Sequence, residues 1–324
     1  MLNRAVEKAY EILDGKVPDR GIFTELSQLS GEDILDLVSL AVKVKHAFSP
    51  PDHICTIINA KSGLCGEDCR FCAQSRYYKT GAERFPLVSL ETILEKGRET
   101  VESGVSTFGI VTSGVGYVTI TEEFTRILKA IDELHVRFPG LNVCASLGLL
   151  SDTTARELSR HGIYHYNINI QTNPAKYNEL ISSTHSAGDR IRTIELLKKY
   201  GVGICSGGII GLGETMEDRL EMAFYLKDLD VDVIPLNVLI PLPGTPLENN
   251  VPLSAADAAK IFSLFRLIHP TRSIKFAAGR ETLMKDFQGL IMLVASGFIT
   301  GGYLTTRGRA VSDDLAFVKE LHAF

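Results

Sequence analysis

The sequence predicts an α/β fold, a (β/α)8 TIM-type barrel with an N-terminal helical extension. Eight strand-like runs alternate with helical patterns, near 54–60, 105–111, 141–147, 163–170, 202–210, 231–239, 273–278 and 295–300. Strands separated by helices pair in parallel, and about 250 residues is the usual size of such a barrel. An open, doubly wound sheet is the alternative, and it would need fewer strands or an extended strand order.

The helical patterns complete the predicted domain organisation. Between the strands they lie at 89–103, 121–137, 152–161, 187–200, 216–229 and 254–268. Apolar residues also recur at helical spacing before residue 48, and Pro50-Pro51 ends that part. We therefore expect a helical segment at 1–48, a barrel at 49–306 and a tail helix at 307–324.

Composition narrows the class of protein. The chain has 324 residues, is 45% hydrophobic and carries a formal net charge of -5 without Lys/Arg runs, which argues against a nucleic-acid partner. No apolar stretch reaches the roughly 18 residues that a membrane span needs, and charged residues interrupt the first fifteen positions. Six cysteines in such a chain favour metal or redox chemistry over disulfides. We expect a cytoplasmic protein that binds neither membrane nor nucleic acid.

Three cysteines lie within eight residues, directly after the first strand. Cys65, Cys69 and Cys72 occupy a glycine-marked loop, where the barrel rule places chemistry. Structural zinc usually takes four ligands from paired Cys-x2-Cys arms, and no second arm follows. A four-iron cluster held by three thiolates instead keeps one iron open for a cofactor. The Cys-x3-Cys-x2-Cys spacing, with Phe71 before the last cysteine, is the signature of radical S-adenosylmethionine (SAM) enzymes; the alternative is three structural cysteines.

Five further segments of the sequence indicate which family of radical SAM enzymes the chain resembles. They appear in order at 166–172, 204–215, 235–237, 278–281 and 304–306. Together with the cysteine loop they closely resemble the biotin synthase family, from about His53 to Thr306. The resemblance implies insertion of sulfur between two unactivated carbons of dethiobiotin. It also implies that a 4Fe-4S cluster cleaves SAM to methionine and a 5′-deoxyadenosyl radical, which abstracts hydrogen in each of two cycles.

The resemblance also suggests residues that bind SAM. Arg190 would bind the SAM carboxylate, and Gln171 stands where the family usually has Asp for the ribose hydroxyls. Residues Phe71, Gly207, Ile209, Gly211 and Glu214 would complete the SAM site, the last four in a motif near the adenine. The alternative for that motif is a strand-to-helix turn with Glu214 in the first helical turn.

Polar residues on the fourth strand predict the substrate site. Asn167, Asn169 and Gln171 alternate and therefore point the same way. By resemblance, Asn169 and Asn237 would bind the ureido group of dethiobiotin. Lys61, Thr305 and Thr306 are further candidates for substrate binding, and a surface lysine and an ordinary turn are the alternatives.

The sequence departs from the family at its second cluster. The family carries a two-iron cluster, held by cysteines on three strands and an Arg, that is thought to donate the sulfur. Cys144 and Cys205 match two of those cysteines, but the other positions read Gly109 and Lys275. The chain therefore lacks two of the residues that hold the two-iron cluster in the family, and that cluster cannot assemble as it does there.

Cys55 offers a replacement ligand on the first strand. Barrel interiors are filled in layers from alternate strands, so Cys55, Cys144, Cys205 and Lys275, on strands one, three, five and seven, share one predicted layer. We expect the three cysteines to bind an auxiliary four-iron cluster with one open iron carrying an extra sulfide. Lys275 would be a nearby cation. The alternative is that each cysteine is a small buried hydrophobe.

Two other functions stay open at this stage. One is another radical SAM enzyme of the same branch, a maturase or mutase acting on a different small molecule. The other is a noncatalytic zinc or iron-sulfur carrier. The expected partners are dethiobiotin and a flavodoxin or ferredoxin electron donor, and the resemblance suggests a homodimer.

Overall fold

Eight parallel strands close into a barrel in the computed structural model, which describes residues 2–306, 308–321 and 323. The strands are β1 (His53–Lys61), β2 (Thr107–Thr112), β3 (Asn142–Ser146), β4 (His165–Asn167), β5 (Gly203–Cys205, continued by Gly208–Ile210), β6 (Val233–Val238), β7 (Ser273–Phe276) and β8 (Gly297–Ile299). Their spatial order follows the chain, β8 pairs with β1, and β6 pairs with β7. The predicted (β/α)8 fold is confirmed, and the open sheet is excluded.

Helices surround the barrel in chain order. They are α1 (Arg4–Ala9), α2 (Arg20–Ser27), α3 (Asp33–Phe48), α4 (Leu90–Glu102), α5 (Glu122–Arg137), α6 (Asp152–Ser159), α7 (Tyr177–Leu180), α8 (Ala187–Lys199), α9 (Met216–Asp228), α10 (Ala255–Ile268), α11 (Gln288–Val294) and α12 (Val311–Leu321). Several begin at the hydroxyl caps that the sequence supplies, such as Ser89, whose Oγ accepts from the Thr92 amide at 3.2 Å. In the described part of the chain, no helix has the length and apolarity needed to cross a membrane.

The N-terminal extension covers one side of the barrel. Helix α3 packs against α10, and every residue of α10 from Ala258 to Ile268 is buried. Helix α10 thus lies between the barrel and the extension, which explains why it reads as apolar on nearly all sides.

A buried ion pair joins the tail helix to the barrel. Arg280 donates to both carboxylate oxygens of Asp314, at 3.0 and 2.9 Å, and the Thr300 hydroxyl donates to the same carboxylate at 2.6 Å. The predicted tail helix at 307–324 appears as α12. Positions 307, 322 and 324, like Met1 in the predicted 1–48 segment, lie outside the described residues.

Strand β4 is shorter than its predicted range of 163–170. Regular pairing stops at Asn167, although an isolated bridge joins Gln171 to Gly208. Gln171 has a φ of 71°, in the left-handed region that interrupts a strand. The residues at 168–171 therefore leave the ladder where the barrel opens.

Candidate active site

A cavity of about 370 Å³ runs through the barrel interior. Residues from the strand starts, such as His53, line it, and so do residues at the opposite mouth, such as Phe71. The predicted site residues that line it are Cys55, Phe71, Cys72, Cys144, Asn167, Asn169, Gln171, Cys205, Ile209, Asn237, Lys275, Thr305 and Thr306. Others lie beside it or behind its wall, namely Lys61, Cys65, Cys69, Arg190, Gly207, Gly211 and Glu214.

The loop that carries the first cysteine trio, residues 63–72, is here called the cluster loop. It turns sharply after β1, because Gly63 and Leu64 have φ angles of 73° and 53°. The Gln74 side-chain oxygen accepts hydrogen bonds from the Gly63 amide and the Ser62 hydroxyl, both at 3.1 Å. The Cys72 amide donates to the Cys69 carbonyl at 2.9 Å. The loop is therefore fixed by its own residues and by those that directly follow it.

A carboxylate ties the cluster loop to a distant segment. Asp68 accepts from the Ser182 hydroxyl at 2.5 Å and from the Ser183 and Thr184 amides at 2.9 and 3.3 Å. Although desolvation opposes it, these bonds hold the pKa of Asp68 well below its ordinary value. The loop thus depends on the segment between α7 and α8, more than a hundred residues away.

The three thiols of the cluster loop interact electrostatically. Burial, opposed by the Arg190 charge but aided by the neighbouring Cys72 and Cys65, raises the pKa of Cys69 to about 12. Burial also raises the pKa of Cys72. The Cys69 and Cys72 thiols are accordingly protonated at neutral pH, and iron binding must displace those protons.

No three His, Cys, Asp or Glu side chains converge on a single metal-ion position anywhere in the described ranges. A lone zinc ion requires its ligands at about 2.0–2.3 Å from one point. The thiolates that hold a four-iron cluster instead bind separate iron atoms. Cys65, Cys69 and Cys72 would accordingly each bind a different iron atom of such a cluster.

His185 links the cluster loop to Arg190, and no sequence pattern pointed to it. Its Nε2 lies 4.0 Å from Cys69 Sγ, 2.8 Å from the Tyr177 hydroxyl and 3.1 Å from Arg190 Nη2. Its Nδ1 lies 2.9 Å from a Glu67 carboxylate oxygen. Burial, and then the Arg190 charge, lower the pKa of His185, so the ring is neutral at neutral pH. It follows Cys69 by 116 positions, which local spacing cannot reveal.

Arg190 points toward these partners and also donates to the Asn169 carbonyl at 3.1 Å. Arg190 does not line the cavity. It lies between Asn169, which lines the cavity, and His185, which contacts the cluster loop. Its predicted contact with the SAM carboxylate stays a prediction.

One part of the predicted SAM motif lines the cavity, and the other part forms the turn that follows β5. Ile209 lines the cavity, and a Cβ on the adjacent Gly208 would come within 2.5 Å of the Gln171 carbonyl oxygen. Glu214 accepts from the Gly211 amide at 2.8 Å and from Arg219 Nε at 2.6 Å, outside the cavity. Glu214 thus closes the strand-to-helix turn of the alternative interpretation, but it precedes the Thr215 cap of α9 and so lies before the first helical turn in which that interpretation placed it.

Gln171 presents an unused acceptor. Its Oε1 is buried and has no hydrogen-bond partner among the residues that the structure describes. Buried polar atoms are rarely left unpaired in folded proteins. A ligand hydroxyl would satisfy this atom, which fits the predicted ribose site.

The predicted substrate residues differ in how free their side chains are. Asn237 is held by backbone: its amide donates to the Gly208 carbonyl at 3.1 Å, and its oxygen accepts from the Ala278 amide at 3.0 Å. Asn169 accepts from the Gly207 amide at 3.1 Å and from Asn167 at 3.2 Å. Both side chains are therefore rigidly oriented at the cavity wall.

Lys61 and the threonine pair lie at different places. Lys61 forms an ion pair with Glu123 at 2.7 Å and is absent from the cavity lining. Thr305 and Thr306 line the cavity mouth, where Asn59 Nδ2 donates to the Leu304 carbonyl at 3.0 Å. Asn59 was not predicted, and it holds the mouth segment against β1.

Deep in the barrel lies a second group, here called the lower cysteine site: Cys55, Cys144, Cys205 and Lys275. All four line the same cavity, and the ammonium of Lys275 donates to Cys55 Sγ at 3.2 Å. Burial opposes the charge, but Cys55 and the other two thiols raise the pKa of Lys275 above its ordinary value. Burial likewise raises the pKa of Cys144 to about 12.

The amide of Asn167 reaches the lower cysteine site from β4. Its Nδ2 lies 3.4 Å from Cys205 Sγ and also donates to Asn169 at 3.2 Å. A chain of side-chain contacts therefore connects the lower cysteine site to the polar residues of β4.

The packing around Gly109 leaves little room for a side chain at this position of β2. A Cβ at this position would lie 3.2 Å from Ile57 Cγ2 and 3.7 Å from the Thr56 carbonyl. Ile57 thus fills the space that a side chain on β2 would need, while Cys55 lies one pleat closer to the start of β1.

Comparison with known proteins supports one family. Two family models match, the Radical SAM superfamily at residues 61–226 and the Biotin and Thiamin Synthesis associated domain at residues 235–323. Among solved structures, methylornithine synthase has a TM-score of 0.83 at 20% identity, covering 97% of this chain and 95% of that chain. A maturase of the FeFe-hydrogenase has a TM-score of 0.81 at 15% identity, covering 98% and 73%. At these identities the two structures share the fold alone.

Curated relatives are much more similar in sequence. Biotin synthase of Chlorobaculum tepidum is 55% identical over 328 residues, covering 100% of this chain and 98% of the relative. Biotin synthase of Chlorobium luteolum is 53% identical over 326 residues with the same coverage. This similarity favours the predicted function over a maturase, a mutase or a noncatalytic carrier. The chain belongs to the biotin synthase family of radical SAM enzymes.

Proposed function

We propose that this chain inserts sulfur into dethiobiotin to form biotin, and that the lower cysteine site holds the sulfur donor. The observation that carries the second part is the position of the lower cysteine site in the same cavity as the predicted SAM and substrate residues. A donor there has access to substrate without crossing solvent.

The cluster loop fits the four-iron cluster and SAM that the family implies. Cys65, Cys69 and Cys72 would hold the cluster, Arg190 and Gln171 would orient SAM, and the unpartnered Gln171 oxygen is the observation that favours a ligand. When bound, the cluster would supply the electron for reductive cleavage of SAM, the chemistry that hydrogen removal from dethiobiotin requires. The protein's part is to position the reacting groups and exclude water.

The lower cysteine site fits an anionic iron-sulfur cluster. A buried ammonium is costly unless negative charge surrounds it. Lys275 donates to Cys55 Sγ and interacts electrostatically with Cys144 and Cys205. Cys55, Cys144 and Cys205 would hold a four-iron cluster with one open iron and an extra sulfide. Lys275 would compensate its charge without being a required ligand.

The polar wall would orient the substrate between the two clusters. Asn169 and Asn237 would bind the ureido group, and their backbone hydrogen bonds fix them before substrate arrives. Thr305 and Thr306 at the mouth would meet the carboxylate end. Pre-oriented side chains reduce the entropy lost when substrate binds.

The proposed function also implies an electron-donor protein, and we propose an oligomeric state as well. The chemistry requires an electron donor, for which a flavodoxin or a ferredoxin is suited. We also propose a homodimer in the cytoplasm.

Iron analysis together with a product assay tests this proposal. Anaerobically reconstituted protein should hold about eight irons per chain, and a Cys55→Ala/Cys144→Ala variant about four. Incubation with dethiobiotin, SAM and reductant but no added sulfide should yield biotin with the unsubstituted chain alone. An iron content of about four in both proteins would contradict the second cluster. Failure of the unsubstituted chain to make biotin, even with added sulfide, would contradict the sulfur insertion.

A further inference from the structure

Three polar residues at the starts of strands line the end of the cavity opposite the cluster loop, and we call them the barrel floor. His53, Thr107 and His165 are the first residues of β1, β2 and β4, and all three line the cavity. The floor therefore lies beyond the lower cysteine site, at the face where catalytic residues of such barrels are not found.

The floor presents unsatisfied polar atoms. His53 Nε2, Thr107 Oγ1 and His165 Nδ1 are buried without a hydrogen-bond partner among the described residues. Thr107 and His165 are 1% and 8% exposed. Buried polar atoms usually have partners in folded proteins, and three unpartnered ones along one end of a single cavity point to a small polar ligand.

The surrounding residues make space for these side chains. A Cβ at Gly203 would lie 2.6 Å from His165 Cδ2, so the glycine on β5 leaves room for the ring. The His53 and His165 ring centroids are 5.6 Å apart, and the Tyr164 ring lies 4.2 Å from that of His165. Tyr164 is 46% exposed, so this group of rings extends from the cavity to the protein surface.

The donors of the floor suit a small anion. The His53 and His165 rings present unpartnered nitrogens, and His165 interacts electrostatically with both Asp232 and the cation of Lys275. Each ring offers one N–H donor, the Thr107 hydroxyl offers another, and Lys275 is a nearby positive charge.

We propose that the barrel floor binds hydrosulfide, the sulfur source that replenishes the lower cysteine site after each product. This inference rests on the proposed function, because one sulfur leaves the protein with every biotin. A small anion would accept hydrogen bonds from the imidazole N–H groups and the Thr107 hydroxyl, while Lys275 compensates its charge. The proposed step is binding alone; no electron or proton is transferred at the floor.

Thr107→Val tests the floor with little change in shape. If the floor holds no sulfide, removing a buried, unpaired hydroxyl should leave sulfide use unchanged. If it holds hydrosulfide, the sulfide concentration that gives half-maximal biotin formation after the first turnover should rise about tenfold. His165→Leu, which removes the ring nitrogens, should have at least as large an effect. Thr112→Val is the matched control, because Thr112 is buried in the same strand but does not line the cavity.

The assay separates the floor from the donor cluster. Protein carrying both clusters first reacts without added sulfide, and the amount of biotin formed in this phase should be equal in all variants. Isotopically labelled sulfide is then added at low concentration, and the label retained as acid-labile sulfide after gel filtration should drop about tenfold in Thr107→Val. Equal retention and equal sulfide dependence in all variants would overturn the floor site. Absence of the first phase in the unsubstituted chain would instead contradict the donor cluster.

Discussion

The two cysteine trios of this barrel are built in different ways. The cluster loop is a single stretch of 63–72, shaped by left-handed backbone at Gly63 and Leu64 and by hydrogen bonds to neighbouring residues. The lower cysteine site takes one residue from each of β1, β3, β5 and β7, and no loop contributes to it. Local sequence shapes the loop of the first trio, with a distant tie from Asp68 to residues 182–184, and barrel register forms the second trio.

This difference has consequences for chemistry and for stability. Each trio has one buried cysteine and two partly exposed ones, but the lower cysteine site also contains Lys275, which is 4% exposed and donates to Cys55 Sγ. The upper site suits an exchangeable cofactor and electron entry. The lower site suits a reagent that must meet only its substrate.

The largest expected effect is that substitutions in the two trios stop different steps of the reaction. Cys69→Ala should lower SAM cleavage at least about a thousandfold, or about 4 kcal/mol in barrier, because the cluster loses a ligand. Cys144→Ala should retain dethiobiotin-dependent SAM cleavage and lose biotin formation. Chromatography of 5′-deoxyadenosine and biotin from the same reactions measures both. Loss of SAM cleavage in a folded Cys144→Ala protein would contradict the separation.

Lys275→Met should weaken the lower site selectively. Removing one partner of a buried charge group costs about 3–5 kcal/mol, so we expect about four irons to be lost while SAM cleavage persists. Lys275→Arg keeps the charge and is the control. Full iron content in Lys275→Met would show that the cation has no part in holding the cluster.

His185→Gln should affect the upper site alone. Residues that orient metal ligands typically contribute about 10- to 100-fold, and His185 lies beside both Cys69 and Arg190. We expect SAM cleavage to fall about tenfold and the midpoint potential of the cluster to shift, with the iron of the lower site unchanged. His161→Gln is the control, since that histidine pairs with Asp132 on the protein surface. An unchanged potential together with unchanged SAM affinity would remove His185 from the site.

The smallest expected effect compares two glycines. Gly109→Ala places a methyl group against Ile57 Cγ2 and should lower the free energy of unfolding by about 1 kcal/mol. Ile57→Ala, which removes that atom, should relieve this effect in the double variant. Gly66→Ala in the cluster loop meets no atom within 4 Å and should change stability by less than about 0.5 kcal/mol. Chemical denaturation of the cluster-free proteins measures both. Equal effects of the two substitutions would contradict the difference in packing.

The fold could be predicted well from the sequence, because eight apolar runs and their intervening helices repeat with parallel-barrel spacing. The end of β4 could not, since the left-handed conformation of Gln171 depends on the nearby Gly208 rather than on its own residue type. Element type follows local pattern, whereas the point at which a strand leaves the ladder follows tertiary contacts.

The candidate active site likewise contains parts that the sequence predicts and parts that it does not. The cluster loop was visible in spacing alone, and the lower cysteine site required the layer rule and a family resemblance. His185 and the barrel floor were not predicted, because their partners lie far away in the chain and their significance lies in unpaired or shared hydrogen bonds. Contacts of that kind exist only once the barrel has closed.

The source of the sulfur tests the central claim most directly. Protein reconstituted with isotopically labelled sulfide, then freed of excess, should release labelled biotin in its first turnover, up to about one per chain. Cys55→Ala protein treated identically should cleave SAM but release no labelled biotin. Unlabelled biotin from the unsubstituted chain, or labelled biotin from Cys55→Ala, would contradict the account.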